Sequence, residues 1–465
     1  MIAQARTGKQ RKKVVLFFPL LAIAFAALFF LLYHFLGSPN YSIILITIDA
    51  LRASHLSIYG YDKNTSPEID KLAREGLLFV RSSAAAPSTG PSIGSLMTSK
   101  YPSFHGMVSN IIFFPQENVT LAEVLKKHDY ITAAFVGSSV LTSKIGLAKG
   151  FQFYDDSCPE REKATPFPER IATTLTTAAG GWLEKNCERK FFLWLHYQDP
   201  HGPYMPPYPY NQKFSREAYK ATRDVPLLKT WDNTGWGGIP WYQILNEEHD
   251  ARFYLSQYDG EIAFVDDQIG KLLRLIKRLG LEKKTIVILT ADHGEALDNE
   301  HGYFFSHEHG LTDDQVRVPL IMKYPGCPRG KQIQTVVSLV DIMPTLLEML
   351  KISRPNGIQG ENLFKRKEDV IFAENHMSGD SYSLRIGRYK LVDNAGKRFF
   401  YDLETDADEL GNRYDSNSNL CAGLDKLLTE YMQEAKQAKI QKLPYKPTPE
   451  EIRRLRSLGY ISHPN

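Results

Sequence analysis

The sequence predicts an α/β protein. It should have a largely parallel central sheet with helices on both faces, a small C-terminal antiparallel α+β subdomain, and one N-terminal transmembrane helix. Three observations predict this. An uncharged run of 23 residues, Val14 to Leu36, follows a basic cluster. From about residue 41 to 368, short apolar runs alternate with amphipathic stretches, which is the βαβ order of a parallel sheet. After about Asp369 the pattern changes to short stretches of strand character and a polar helix.

The chain has 465 residues, enough for one large domain and a smaller one. Hydrophobic residues make up 43% and charged residues 23%, which excludes a mostly disordered chain. The net charge is +3, and residues 1–36 hold Arg6, Lys9, Arg11, Lys12 and Lys13 with no acidic residue. The rest is therefore near neutrality and gives no footprint for nucleic acid. The basic excess is explained by topology. At 1.5 Å per residue the run 14–36 spans about 35 Å, enough for a bilayer core. It ends in Tyr33-His34-Phe35-Leu36-Gly37-Ser38, without the small-x-small pattern of a cleaved signal. Residues 1–13 are then a cytoplasmic basic tail, and the body lies outside the inner membrane, in the periplasm or its equivalent.

The elements follow in order. Ile43–Ile48 is a buried parallel strand, and Pro67–Glu75 a helix capped by Ser66. Helix Leu121–Lys127 precedes strand Ile131–Val136. A helix around Arg170–Glu184 precedes strand Phe191–Tyr197. A long amphipathic helix, Glu247–Lys277, precedes strand Thr285–Ala291. Leu320–Lys323 is a short strand and Val340–Leu350 a helix. Ser383–Arg385, Tyr389–Val392 and Arg398–Asp402 read as a small antiparallel sheet, closed by a helix near Leu424–Lys439. The catalytic domain is thus residues 41–368 and the C-terminal subdomain 369–465. Cys158, Cys187, Cys327 and Cys421 allow three full disulfide pairings or simple thiols, and match no zinc motif. Asn64-Thr65-Ser66 and Asn118-Val119-Thr120 fit the glycosylation sequon.

In an open α/β sheet, ligands bind beyond the carboxyl ends of the strands. Asp49 follows the first strand, Asp292-His293 follows Thr285–Ala291, and Asp199-Pro200-His201 follows Phe191–Tyr197. Three strands thus deliver Asp or His to one edge.

These residues carry a resemblance. Ile46–Arg52, Tyr59-Gly60-Tyr61 and Ser66–Ala73 resemble the opening of the sulfatase family of the alkaline phosphatase superfamily. So do Leu96–Pro102 with His105-Gly106, Phe192–His201 with Gly202-Pro203-Tyr204, Thr290–Glu295, Arg317–Leu320 and the terminal Leu458-Gly459-Tyr460. The resemblance implies the alkaline phosphatase/sulfatase-like form of the fold and an ester hydrolase.

The departures carry chemistry. The family's usual nucleophile is a Cys or Ser in C/S-x-P-x-R, oxidised to formylglycine. The aligned stretch is Thr89-Gly90-Pro91-Ser92-Ile93, so Thr stands at the nucleophile position. The family's acidic pair is reduced to Asp49-Ala50, its Asp-Asn is Asp292-His293, and its Lys-x-His is replaced in Gly137-Ser138-Ser139-Val140. A hydrated aldehyde has a second hydroxyl with which to expel sulfate; Thr has none. Thr can still take a phosphoryl group and pass it to water. The resemblance implies Asp49, Thr89, Asp292 and His293 as ligands of a first divalent metal. Imidazole among the donors favours zinc or manganese over calcium or magnesium. His309, with His201 and Asp199, would form a second metal site or bind the substrate, His201 protonating the leaving group; His301 and His307 are the alternatives for His309. Ser92–Thr98 should begin a helix whose amides help to hold the anion, and the plainer role for Thr89 is to cap it. Pro203–Tyr242, with Trp231, Trp236 and Trp241, would be the substrate rim.

The reading is a membrane-anchored, metal-dependent hydrolase or transferase of phosphate esters, with Thr89 as nucleophile and one or two ions. Its substrate would be a phosphorylated or sulfated small molecule, glycan or lipid head group. The alternatives are a sulfuric ester hydrolase working without formylglycine and a non-catalytic binding protein.

Overall fold

The computed structural model describes residues 40–460, apart from 159–169, 221–224, 228–233, 298–300, 367–368, 378, 439, 441 and 458. The expected tail 1–13, the expected anchor 14–36 and Trp231 lie outside the described residues. Among the described residues no helix is long and apolar enough to cross a membrane.

The first half of the chain lays down β1 (Ser42–Ile48), α1 (Pro67–Glu75), β2 (Leu77–Phe79), β3 (Ser82–Ser83), α2 (Thr89–Thr98) and α3 (Pro102–His105). It continues with α4 (Leu121–Lys127), β4 (Ile131–Val136), β5 (Phe153–Asp155), α5 (Ala172–Asn186) and β6 (Phe191–Tyr197). Then come α6 (Ala251–Arg278), β7 (Thr285–Ala291), α7 (Asp313–Val316), β8 (Leu320–Lys323), β9 (Lys331–Ile333), β10 (Val337–Ser338) and α8 (Ile342–Met349). The C-terminal part is β11 (Val370–Asn375), β12 (Ser381–Ile386), β13 (Tyr389–Asn394), β14 (Lys397–Asp402), α9 (Asn419–Gln437) and α10 (Pro449–Ser457).

Eight strands form the main sheet, in the order β5-β4-β6-β1-β7-β8-β2-β9. β1, β6 and β7 are seven residues each and buried throughout, as strands covered on both faces must be. α1 and α5 pack on α6 in one helical layer, and α2 packs with α4 and α8 in the other. β8 runs antiparallel to β7 and to β2, so the sheet is mixed on that side. A second sheet, β11-β12-β13-β14, is an antiparallel meander. α9 covers it through Leu424, Leu428 and Tyr431, and Ala85, Tyr101 and Val340 of the larger domain join the same apolar cluster.

Several expected boundaries move, for local reasons. The long helix starts at Ala251, not Glu247, because Asn246 and Glu247 have left-handed backbones (φ 49° and 55°) and the Asp250 carboxylate caps the Arg252 amide. The helix expected at Val340 begins with a 3-10 turn, Leu339–Asp341, in which Asp341 Oδ2 accepts the Ser338 amide at 2.9 Å. α2 begins at Thr89, three residues before the expected Ser92. Cys187, Cys327 and Cys421 are thiols, and Cys421 is buried. Asn118 is buried and donates to the carbonyls of His105 and Pro115, so that sequon is part of the packing.

Candidate active site

The site is built where β6, β1 and β7 end side by side. The register pairs Ile48 with Tyr197 on one side and Ala291 on the other. Asp49 and Asp292 come one residue later and therefore emerge next to each other. The Asp292 Oδ1 accepts the amides of His293 at 2.9 Å and Ala50 at 3.3 Å. Ala50 takes a positive φ of 54° to present that amide, a strained backbone of the kind that collects at functional sites.

Thr89 lies at the start of α2 and is fully buried. Its Oγ1 is 3.2 Å from His293 Nε2 and 3.5 Å from Asp49 Oδ1. His293 Nε2 is 3.4 Å from Asp49 and 3.6 Å from Asp292. The structure thus brings Asp49, Thr89, Asp292 and His293 together. Thr89 does not cap the helix: Ser88 holds the cap position. Nor is the first turn an open cradle of amides. Gly90 donates its amide to Asn110 Oδ1 at 2.8 Å, Ser92 donates to the Ser88 carbonyl, and Pro91 has none to give. The Gly90 and Ser92 amides are thus engaged within the protein.

The tautomers can be read from fixed acceptors. His293 Nδ1 lies 2.8 Å from the Gly294 carbonyl, so Nδ1 carries the proton and Nε2 turns its lone pair toward Thr89 and Asp49. His196, which the sequence reading left inside its strand, behaves alike. Its Nδ1 is 2.8 Å from Thr47 Oγ1, and that oxygen accepts from Trp194 and donates to the Leu195 carbonyl. Thr47 is thereby left to accept the Nδ1 proton, and Nε2 faces Asp49 Oδ2 at 3.3 Å.

One ligand atom each from Asp49, His196 and Asp292 lie within 4.8 Å of one another. All three residues are fully buried, and Asp292 Oδ2 has no hydrogen-bond partner among the described residues. Burial, and then the charge of Asp49, push Asp292 up to about 6. Burial raises Asp49 too, against the opposing pull of His201 and His293, and pushes His196 down to about 4. Two carboxylates and bare imidazole nitrogens aimed at one point are a donor set that a divalent cation satisfies and that is costly without one. Asp49 and Asp292 of the expected set, together with His196, thus fit a divalent metal, and His293 Nε2 lies 3.4 Å from Asp49 beside them.

A second group surrounds His201. Its Nδ1 is 2.8 Å from the Gly202 carbonyl, and its Nε2 is buried without a partner among the described residues. Burial lowers its proton affinity, and Asp49 partly restores it. The ring beside it is His307, at 5.0 Å between centroids; His307 is also 4.3 Å from His293 and has Nδ1 3.2 Å from Glu295. His309 instead stacks on Tyr303 at 4.7 Å. The inner place expected for His309 is thus taken by His307, two residues away in sequence. His301 lies on a different small cavity with Arg52 and Asp313. Asp199, expected beside the substrate, is buried, and its Oδ2 accepts the Ala172 amide at the start of α5. Asn110 ties the Thr89 turn to Glu308, whose carboxyl burial pushes up to about 8. On the rim, Trp236 is 60% exposed and packs edge-on against Tyr303.

The sulfatase profile matches residues 42–352, and that of the N-sulphoglucosamine sulphohydrolase C-terminal region matches 299–438. An ulvan-active sulfatase of Formosa agariphila is 28% identical over 356 residues, 70% of this chain and 64% of that protein. The chain thus spans less than two thirds of that relative's length. The phosphonate monoester hydrolase of Agrobacterium radiobacter has the same fold, with a TM-score of 0.69 at 22% identity over 88% of this chain and all of that one. A protein solved with its substrate D-glucosamine-2-N,6-O-disulfate aligns with a TM-score of 0.70 at 20% identity, over 86% and 99% of the two chains. With a profile match across most of the chain and this fold, the protein belongs to the sulfatase family of the alkaline phosphatase superfamily, a family of ester hydrolases.

Proposed function

We propose that this protein is a metal-dependent hydrolase or transferase of phosphate esters in which Thr89 is the nucleophile. The observation that carries the reading is the Thr89 hydroxyl itself, buried at the start of α2 and 3.2 Å from the lone-pair nitrogen of His293. A divalent cation held by Asp49, His196, Asp292 and His293 would supply the positive charge that lowers the proton affinity of that hydroxyl and neutralises the ester's oxygens.

Thr89 Oγ1 releases its proton to solvent and attacks phosphorus, and the bond from phosphorus to the alcohol oxygen breaks. The departing oxygen takes a proton from His201 Nε2, because an anionic ester beside the imidazole raises its proton affinity. Water, or an acceptor alcohol in a transferase, then attacks phosphorus from the opposite side. The proton of that water or alcohol passes to His201 Nε2, the bond to Thr89 breaks, and the Thr89 oxygen takes a proton back from solvent. Asp292 stays fixed by the Ala50 and His293 amides, and Asp49 by its burial beside His196, so little reorganises during the step.

The name of the Agrobacterium relative in fold supports phosphorus as the reacting centre. A second reading, a sulfuric ester hydrolase acting on a sulfated glycan, is favoured by the names of the ulvan-active sulfatase and of the glucosamine disulfate complex. A threonine has no second hydroxyl on its reacting carbon, which argues against it. Phosphomonoesters, phosphodiesters, phosphonates and sulfate esters tested across several divalent metals decide between them. The proposal expects phosphorus esters to turn over well ahead of sulfates; a preference for sulfate moves the assignment to the second reading.

A further inference from the structure

The last described residue of the chain lies inside the site. Tyr460 is 3% exposed, and its ring is 4.9 Å from that of His201, tilted by 33°. Its hydroxyl is 3.4 Å from Ser138 Oγ and accepts from Gln198 Nε2 at 3.4 Å. Ser138 follows β4 and Gln198 follows β6, so the phenol is held by the same sheet edge that carries Asp49.

The approach of the chain to this point is fixed at several places. Leu443 and Tyr445 bond to Phe113 and Ile111, in the loop that carries Asn110. Glu451 of α10 pairs with Lys144 at 2.6 Å. After α10, Gly459 takes a φ of 79° and bonds back to Arg456, while Tyr460 bonds back to Leu455. A Cβ on Gly459 would come within 2.5 Å of the Tyr242 ring. Residues 443–457 with Gly459 and Tyr460 are therefore a strap that runs from the Thr89 side of the site to His201. Between the strap and residues 139–145 lies a cavity of about 590 Å³, lined by Asn110, Ser139, Tyr445 and Arg454 among others.

We propose that Tyr460 is a positioning residue for His201 and that the C-terminal strap is part of the active site. The inference rests on the reading of His201 as the donor to the leaving group. The His201 ring has one polar tether, at Nδ1, and turning about its last torsion is cheap for an imidazole. Tyr460 on one side and His307 at its edge hold the plane that keeps Nε2 aimed into the site.

The test uses the metal-loaded enzyme and a series of phosphorus esters whose leaving groups run from nitrophenol to simple alkanols. His201→Ala should cost about 10²–10⁴-fold on the alkyl esters, which need a proton, and far less on the nitrophenyl ester, which does not. Tyr460→Ala should show the same dependence on leaving group at a smaller scale, about tenfold in kcat on the alkyl esters, while Tyr460→Phe keeps the ring and stays near wild type. Gly459→Ala, which displaces the strap without altering Tyr460, should match Tyr460→Ala and provides the reading if that variant folds poorly. If Tyr460→Ala and Gly459→Ala lose equally on every ester, or lose nothing, Tyr460 is packing only and the proposal is overturned. A Tyr460→Phe variant as poor as Tyr460→Ala also overturns it. A flat response from His201→Ala removes the reading of His201, and the proposal with it; a steep His201→Ala beside a flat Tyr460→Ala removes the proposal alone.

Discussion

The two buried carboxylates set the chemistry at the scale of single residues. Asp49 and Asp292 lie side by side away from water: burial raises the proton affinity of both, and the charge of Asp49 raises that of Asp292 further. The account therefore makes bound metal and these side chains interdependent. Asp292→Ala, in purified protein, should lose most of its bound divalent metal by elemental analysis and all measurable turnover; unchanged metal content would remove Asp292 from the ligand set. Asp49, Asp292 and His293 were legible in the sequence because each follows directly on an apolar strand. His196 was not, since it lies within such a strand and reads as one polar residue in a buried run. The signal that marks it is register: Thr47 is its neighbour across the pair, and an apolar strand has no use for a histidine unless a polar partner waits beside it. His307 and His309 lie two residues apart in one short loop, and sequence distance cannot tell which imidazole turns inward.

Among the elements, the contrast between two threonines separates structure from chemistry. Thr120 caps α4 in a reciprocal box: its Oγ1 accepts the Glu123 amide at 3.2 Å, and Glu123 accepts the Thr120 amide at 3.0 Å. Thr120→Ala should cost about 1 kcal/mol in a denaturant titration and leave kcat unchanged. A large loss of turnover there would mean that α4 reaches the site in a way its contacts do not show. The long strands β1, β4, β6 and β7 were legible as unbroken apolar runs. β2, β3, β5 and β9 are two or three residues long and give no period to detect. Strand direction at β8 was hidden for a related reason: pairing partners are a property of the folded sheet, not of the run itself.

Across the whole molecule, a buried ionic network joins the C-terminal sheet to the larger domain. Asp313, at the start of α7, takes Lys390 of β13 at 2.8 Å and Arg385 of β12 at 3.0 Å, and Lys390 also meets Glu409 at 2.8 Å. Burial would raise the Asp313 carboxyl, but Lys390, Arg385 and Arg317 outweigh it and hold the group well below the usual carboxylate range. Because the folded state depresses this proton affinity, its stabilisation is present above the unfolded value of about 4 and is lost as pH falls below it. Asp313→Asn should cost about 3–5 kcal/mol near neutrality, since Lys390 is left buried and undercompensated. The gap in melting temperature from wild type should narrow as pH is taken below about 4; a gap that stays constant would show that the loss is one of packing. The membrane anchor is a proposal at this scale, from the basic cluster and the uncharged run 14–36. Protease added to spheroplasts should digest the body and spare an N-terminal tag, and a protected body would reverse the topology. The C-terminal antiparallel sheet was legible because the pattern of the chain changes near Asp369, and β11 begins at Val370. The interlock was not, because it depends on which charged residues of a short meander point back toward α7.

The central claim is that Thr89 attacks the ester, and turnover of a phosphodiester by metal-loaded Thr89→Ala tests it most directly. Thr89 stands inside the first turn of α2 with Ser88 at the cap position, so removing the hydroxyl should leave the fold and the metal content intact. The account predicts a folded protein whose kcat falls by several orders of magnitude, with Thr89→Ser retaining part of the activity. A Thr89→Ala enzyme working at a near-normal rate would contradict it.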